Sequence, residues 1–212
     1  MKKLLLVFVI CAMSLPLLAQ ISVGPTLGLN FAKQTIEGGG IKIKSNGVTG
    51  IVLGAEAELP INDGIFLNTG LLLSIKGATY NDGTEEDKIK LSYLEIPIKG
   101  IYKAEVGGVS IYGSAGFYVG FGIGGEWQYT DSEYPEDNES ESIQWGSATN
   151  DDFKGFDFGF GIGGGLIFDL NDRPMKAGFV YDLGLSNIEP ITGGTIKNKT
   201  FSIRLTYSLF KI

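Results

Sequence analysis

Histidine is absent from this 212-residue chain, and its one cysteine, Cys11, lies close to the N-terminus. Without imidazole, Ser-His-Asp hydrolysis and histidine-based lipid hydrolysis are excluded, because no other unperturbed side chain titrates near neutrality. A zinc site lacks its usual nitrogen and sulfur donors. Downstream of Cys11 there is no thiol to act as nucleophile or to form a disulfide. Long apolar runs are scarce too: past the N-terminus no stretch approaches the ~18 consecutive apolar residues of a spanning helix, so any passage through a membrane must use strands. Basic residues are outnumbered, 17 Lys and Arg against 24 Asp and Glu, for a net charge of −7. No basic stripe offers a nucleic-acid footprint, and no nucleic-acid partner is expected.

The N-terminus reads as an export signal. Lys2 and Lys3 supply the positive start, Leu4–Met13 the apolar centre, and Ser14–Ala19 the approach to cleavage before Gln20. Ser14 and Pro16 interrupt the apolar stretch, which disfavours an uncleaved anchor. Ile10 is branched where a lipid-attachment motif at Cys11 wants a small residue. The expected organisation is a signal peptide over 1–19 and one domain over 20–212.

That domain is built on a period of two. In Val109–Ile123 the odd positions are apolar or Gly and the even ones polar, Tyr or Gly, which is strand periodicity sustained well beyond the usual ~5–6 residues. Similar alternation predicts eight strands, near 20–33, 48–60, 64–79, 88–105, 108–128, 153–170, 174–185 and 199–212. Asn62-Asp63-Gly64, Val106-Gly107-Gly108 and Asn171-Asp172-Arg173 read as tight turns, whereas 34–47, 80–87, 129–152 and 186–198 are longer and polar. Long and short connections alternate strictly, with a long one first. An even-stranded barrel whose N-terminus is periplasmic has this order.

The expected fold class is therefore all-β, an eight-stranded antiparallel up-and-down transmembrane β-barrel of the cell outer membrane. Its lipid face would carry residues such as Leu27, Leu29, Phe31, Phe117, Phe121, Phe160, Phe179, Phe201 and Ile203. Trp127, Tyr129, Tyr102 and Tyr207 are expected near strand ends on that face, as an interfacial girdle. Glycine, at 32 residues, falls largely on the polar phase, where it leaves room inside a small barrel.

Four segments carry a family resemblance: Tyr93-Leu-Glu-Ile-Pro-Ile-Lys99, Gly24-Pro-Thr-Leu-Gly-Leu-Asn30, Gly113-Ser-Ala-Gly-Phe-Tyr-Val-Gly120 and Phe156-Asp-Phe-Gly-Phe-Gly-Ile-Gly163. They resemble the PorT-like outer-membrane β-barrels of Bacteroidota. The resemblance covers the whole mature chain, implies an outer-membrane barrel of about eight strands, and carries over no catalytic residue. The ending Phe210-Lys211-Ile212 departs from the terminal aromatic usual for such barrels.

Mid-strand charges fall on the opposite face. Glu56, Glu58, Lys76, Glu95, Lys99, Asp157, Asp182 and Arg204 are the candidate lumen charge network. Glu56 and Glu58, two apart on one strand, also fit a paired-carboxylate acid/base or cation site. An ion-paired plug is the stronger reading, since an eight-stranded barrel is just wide enough to be filled by side chains. Gly120-Phe-Gly-Ile-Gly-Gly125 and Gly159-Phe-Gly-Ile-Gly-Gly164 spell the dinucleotide fingerprint, but alternating strand continues through both where a turn and a helix are required. No catalytic residue, metal site or cofactor is expected. Segment 129–152 gathers Asp131, Glu133, Glu136, Asp137, Glu139, Glu141, Asp151 and Asp152. It reads as a solvated loop, with Ca²⁺ or a protein partner as the alternative use.

The expected role is a non-enzymatic outer-membrane scaffold presented through its outer loops. Its partners would be outer-membrane lipid or lipopolysaccharide, and the barrel-assembly machinery during insertion. A small solute pore, and a secreted soluble barrel with its apolar phase turned inward around a lipophilic ligand, are the alternatives.

Overall fold

The computed structural model describes residues 21–209, so the expected signal segment 1–19 and the ending Phe210-Lys211-Ile212 lie outside the described residues. Eight long strands carry the architecture: β1 (Ser22–Gly38), β3 (Val48–Asn62), β4 (Ile65–Asn81), β5 (Glu85–Val106), β6 (Val109–Asp131), β8 (Phe156–Leu170), β9 (Arg173–Gly184) and β10 (Gly194–Tyr207). Two short ones, β2 (Ile41–Lys44) and β7 (Glu139–Ser142), extend β1 and β6 from within segments expected to be loops. Each long strand pairs antiparallel with the next long strand, and β10 returns to β1, from Thr26↔Thr206 to Gly38↔Gly194. Closure leaves no open edge in the eight-strand ring, the condition for strands to cross hydrocarbon.

The short turns use the residues that tolerate left-handed backbone. Gly107 and Gly108 have φ of 59° and 81°, and Asn171 and Asp172 have φ of 53° and 59°. Two consecutive positive φ values suit the hairpin turn whose twist matches its flanking strands. At the other end of the ring the strands run further than expected. β1 continues to Gly38 and β10 begins at Gly194, because these two strands keep pairing beyond the belt.

The two faces differ in chemistry. Leu27 is 57% exposed, Phe156 50% and Ile203 51%, and the same outward band includes Leu53, Leu71, Ile98, Phe117, Ile162 and Phe179. Aromatic neighbours interlock across strands on this band: Phe117 stacks on Phe158 at 5.4 Å and meets Phe160 edge-on at 5.4 Å. The inward phase is polar and buried, with Asn30, Ser74, Asp157 and Ser202 wholly enclosed. A soluble barrel with its apolar phase inward is therefore overturned: the greasy face points out.

A bulge corrects the expected girdle. Tyr93 pairs with Gly122 but Ser92 pairs with Gly124, so Ile123 is an extra residue and the phase of β6 shifts beyond it. Trp127 consequently pairs with the inward-facing Ile89, and its indole N–H donates to Asp87 Oδ1 at 2.9 Å. Trp127 and Tyr129 turn toward the interior side of the outer extension, not toward lipid. Tyr102 and Tyr207, at the opposite end, do lie on the outward phase.

A ring closed by this ladder resists detergent kinetically. Unboiled protein in SDS is expected to migrate differently from boiled protein; identical mobility of the two samples would contradict the closed ring.

Candidate functional site

The inner face of each strand delivers its polar side chains to one lumen, in which charges lie in three tiers. Near the short-turn end, Glu58 of β3 pairs with Lys103 of β5 at 2.5 Å and with Lys176 of β9. Lys176 also stands 3.7 Å from Glu56 Oε2, and Arg204 of β10 lies 3.8 Å from Glu56 Oε1. In the middle tier Asp182 takes Lys99 at 2.6 Å and Arg204 at 3.4 Å. Higher up, Lys76 lies 2.8 Å from Glu95 and 3.3 Å from Asp157, and its ammonium sits 3.9 Å from the Tyr118 ring centre.

All eight residues singled out in the sequence thus converge, although they come from six different strands. Lys103 and Lys176 were missed. Both occupy the inward parity of their strands, Lys176 six residues before Asp182, so a strict count of phase finds them. With them, five cations meet five carboxylates: Lys76, Lys99, Lys103, Lys176 and Arg204 against Glu56, Glu58, Glu95, Asp157 and Asp182.

Neutral groups complete the arrangement at Asp157. Its carboxylate accepts from Tyr118 Oη at 3.2 Å, Asn198 Nδ2 at 3.1 Å and Ser186 Oγ at 3.0 Å. Glu95 is held differently. Lys76 and Arg204 flank it with charge, yet neither of its oxygens accepts a well-aligned hydrogen bond. Glycine makes room for the pairs: a Cβ on Gly161 would overlap Asp182 Oδ1, and one on Gly159 would strike the Tyr118 ring. Between Tyr112, Lys99, Lys176 and Arg204 a cavity of about 30 Å³ remains, space for a water or two.

The outer mouth is packed with side chains of another kind. Leu91, Tyr93, Phe153, Ile188 and Ile196 form a buried apolar cluster, against which Ile36, Ile89, Ile143 and Trp145 pack. Trp145 meets Tyr93 edge-on at 5.3 Å and would collide with any side chain at position 122, so Gly122 admits it. The segment expected to be a solvated loop therefore folds. β6 runs to Asp131, β7 occupies Glu139–Ser142, and Ile143, Trp145 and Phe153 turn back into the mouth. Three of its eight carboxylates serve the backbone: Asp131 accepts from the amides of Glu133 and Tyr134, Asp151 from Ala148 and Asp152 from Gln144. Among the described residues no group of three or more Asp or Glu gathers to metal-binding distance. Outside the belt, burial pushes the Tyr80 hydroxyl up to about 12, and it donates to Gln34 Oε1 at 3.2 Å.

Residues 14–189 match the outer membrane protein beta-barrel domain. The chain belongs to that family. It is accordingly a protein of the cell outer membrane, and the match spans every ring strand before β10. No curated protein sequence matches this chain. Among solved structures, Ail, the attachment invasion locus protein of Yersinia pestis, is 14% identical with a TM-score of 0.43, covering 89% of this chain and 98% of its own. Neisserial surface protein A is 12% identical with a TM-score of 0.44, over 87% and 97%. The outer membrane protease OmpT of Escherichia coli is 9% identical with a TM-score of 0.33, over 89% and 96%.

Removing one member of a buried ion pair strands the other. Asp182→Ala leaves Lys99 and Arg204 without their shared carboxylate and is expected to cost about 3–5 kcal/mol in reversible urea unfolding. Lys99→Met combined with Asp182→Leu is expected to recover most of that loss. Both tryptophans of the chain, Trp127 and Trp145, face the cap. Their fluorescence is expected to resist quenching by lipids brominated along the acyl chains, whereas a lipid-facing girdle would be strongly quenched.

Proposed function

We propose that this protein is a closed, non-conducting and non-catalytic outer-membrane barrel whose role is to present its folded outer cap as a binding scaffold. The observation that carries this reading is the double seal, charge-matched side chains through the lumen and an apolar plug at the mouth. A conducting lumen would need a continuous aqueous path, and the ion pairs cross the lumen beside a cavity of about 30 Å³ at Tyr112. Catalysis by Glu56 and Glu58 would need a carboxylate free to exchange protons with a substrate. Lys103, Lys176 and Arg204 neutralise both, and both are more than nine-tenths buried.

Finer features belong to the same proposal. The resemblance of segment Tyr93–Lys99 supports membership of the PorT-like barrels of Bacteroidota, and residues 1–19 are removed on export. Insertion proceeds through the barrel-assembly machinery into outer-membrane lipid. The acidic outer segment 129–152 is the surface for a protein partner; a lone Ca²⁺ is disfavoured there, because Asp131, Asp151 and Asp152 accept from backbone amides and among the described residues no three carboxylates gather.

Reconstitution in planar bilayers is the test. The expected record is flat at ±100 mV; reproducible unitary steps from the purified wild-type protein would overturn the closed-lumen reading. Replacing Trp145 and Phe153 by Ala is expected to leave the record flat, because the ion tiers below the cap remain.

A further inference from the structure

Where β1 and β10 rise out of the apolar belt, their outward face changes abruptly from aromatic to cationic. Phe31 lies opposite Phe201, with ring centres 6.3 Å apart, and both are exposed. In the next outward row Lys33 lies directly opposite Lys199. In the row above, Thr35 stands between Lys197 of β10 and Lys44 of β2. The buried alternates Ala32, Gln34, Asn198 and Thr200 fix the phase, so these four lysines share the outer surface. Successive rows are about 6.8 Å apart, which puts the first lysine pair one row above Phe31 and Phe201.

Like charges directly opposite on neighbouring strands oppose sheet formation. Other lysines of the outer rim have an acidic neighbour. Lys42 pairs with Glu37, Lys88 stands 3.8 Å from Glu86, and Lys90 lies across from Glu126. Among the described residues no carboxylate comes within 4.0 Å of Lys33, Lys44, Lys197 or Lys199. Glu37, on which Lys197 and Lys199 also act by charge, is already engaged by Lys42, which chiefly holds its carboxyl below the usual range. An unbalanced cationic cluster in a chain of net charge −7 is a local exception.

We propose that Lys33, Lys44, Lys197 and Lys199 bind the phosphate of a phosphorylated lipid headgroup in the outer leaflet. Two lysines facing each other across a strand pair bracket a tetrahedral anion from both sides, and the interfacial dielectric, lower than that of bulk water, strengthens the attraction. Phe31 and Phe201 below receive the first methylenes of the acyl chains. The long connections lie at this end, so the leaflet is the outer one, where the phosphorylated lipid is a glycolipid. The site rests on insertion of the barrel in the membrane and not on closure of its lumen; bilayer conductance and lipid binding therefore fail independently.

The test uses the full folded protein in zwitterionic detergent, titrated with fluorescent bis-phosphorylated lipid A. Parallel arms use the same lipid with both phosphates removed, phosphatidylglycerol, and inorganic pyrophosphate as competitor. Removing the phosphates is expected to weaken binding at least tenfold, as is the triple variant Lys33→Gln, Lys197→Gln, Lys199→Gln. That variant should keep the gel-mobility shift on boiling, which shows that its barrel is intact. Lys88→Gln with Lys90→Gln, on another part of the rim, should bind within twofold of wild type. Equal affinity for phosphatidylglycerol would support the site and assign it to phospholipid headgroups. Unchanged binding by the triple variant or of the dephosphorylated lipid would overturn the proposal, as would pyrophosphate competing at the concentration of the lipid itself.

Discussion

Hydrocarbon cannot hydrogen-bond a peptide group, and this constraint orders the rest of the molecule. Every N–H and C=O in the belt must find a partner in a neighbouring strand, so the sheet has to close, and the β1–β10 register closes it. Once closed, eight strands leave no room for a second layer. The inner phase can be filled only by its own side chains, and long polar ones reach far enough to meet. The outward apolar band and the inward charges are thus two consequences of one ring.

Charges inside that ring must then satisfy one another. Lys76 is 1% exposed and Asp157 is fully enclosed, so neither is stable alone. Sharing solves the problem: Arg204 touches Glu56, Glu95 and Asp182, linking the three tiers, while Lys76 spans Glu95 and Asp157. Glycines at 159 and 161 are part of the same solution, since larger residues there would displace Tyr118 and the Lys99–Asp182 pair. At the mouth the network gives way to apolar packing around Tyr93, whose hydroxyl still accepts from Asn198 at 3.3 Å. Ion pairing below and apolar packing above thus meet at one residue.

Much of this was legible in the chain. Period-two alternation placed all eight ring strands, and the parity of Glu56, Glu58, Lys76, Glu95, Lys99, Asp157, Asp182 and Arg204 placed them inside. Parity also assigns Lys103 and Lys176, which went unnoticed because both stand close to short turns, where a charged residue reads as solvated. Two features escaped for a deeper reason. The bulge at Ile123 reverses the phase of Trp127 and Tyr129, yet one inserted residue inside a Gly-rich strand leaves no local mark. The inward fold of Trp145 and Phe153 depends on Tyr93, Ile188 and Ile196, which are remote in sequence and have no periodic relation to them.

What the sequence alone determined is the material of the wall: alternation, turn residues and the absence of histidine and of long apolar runs define a two-faced strand protein without imidazole chemistry. Which charge meets which, where the outer cap lies and which lysines stand beside one another were decided only by tertiary structure. The reason is geometric. A period of two says which face a side chain takes, but the stagger of eight strands around a closed ring sets its height, and both ion pairing and the approach of Lys33 to Lys199 depend on height.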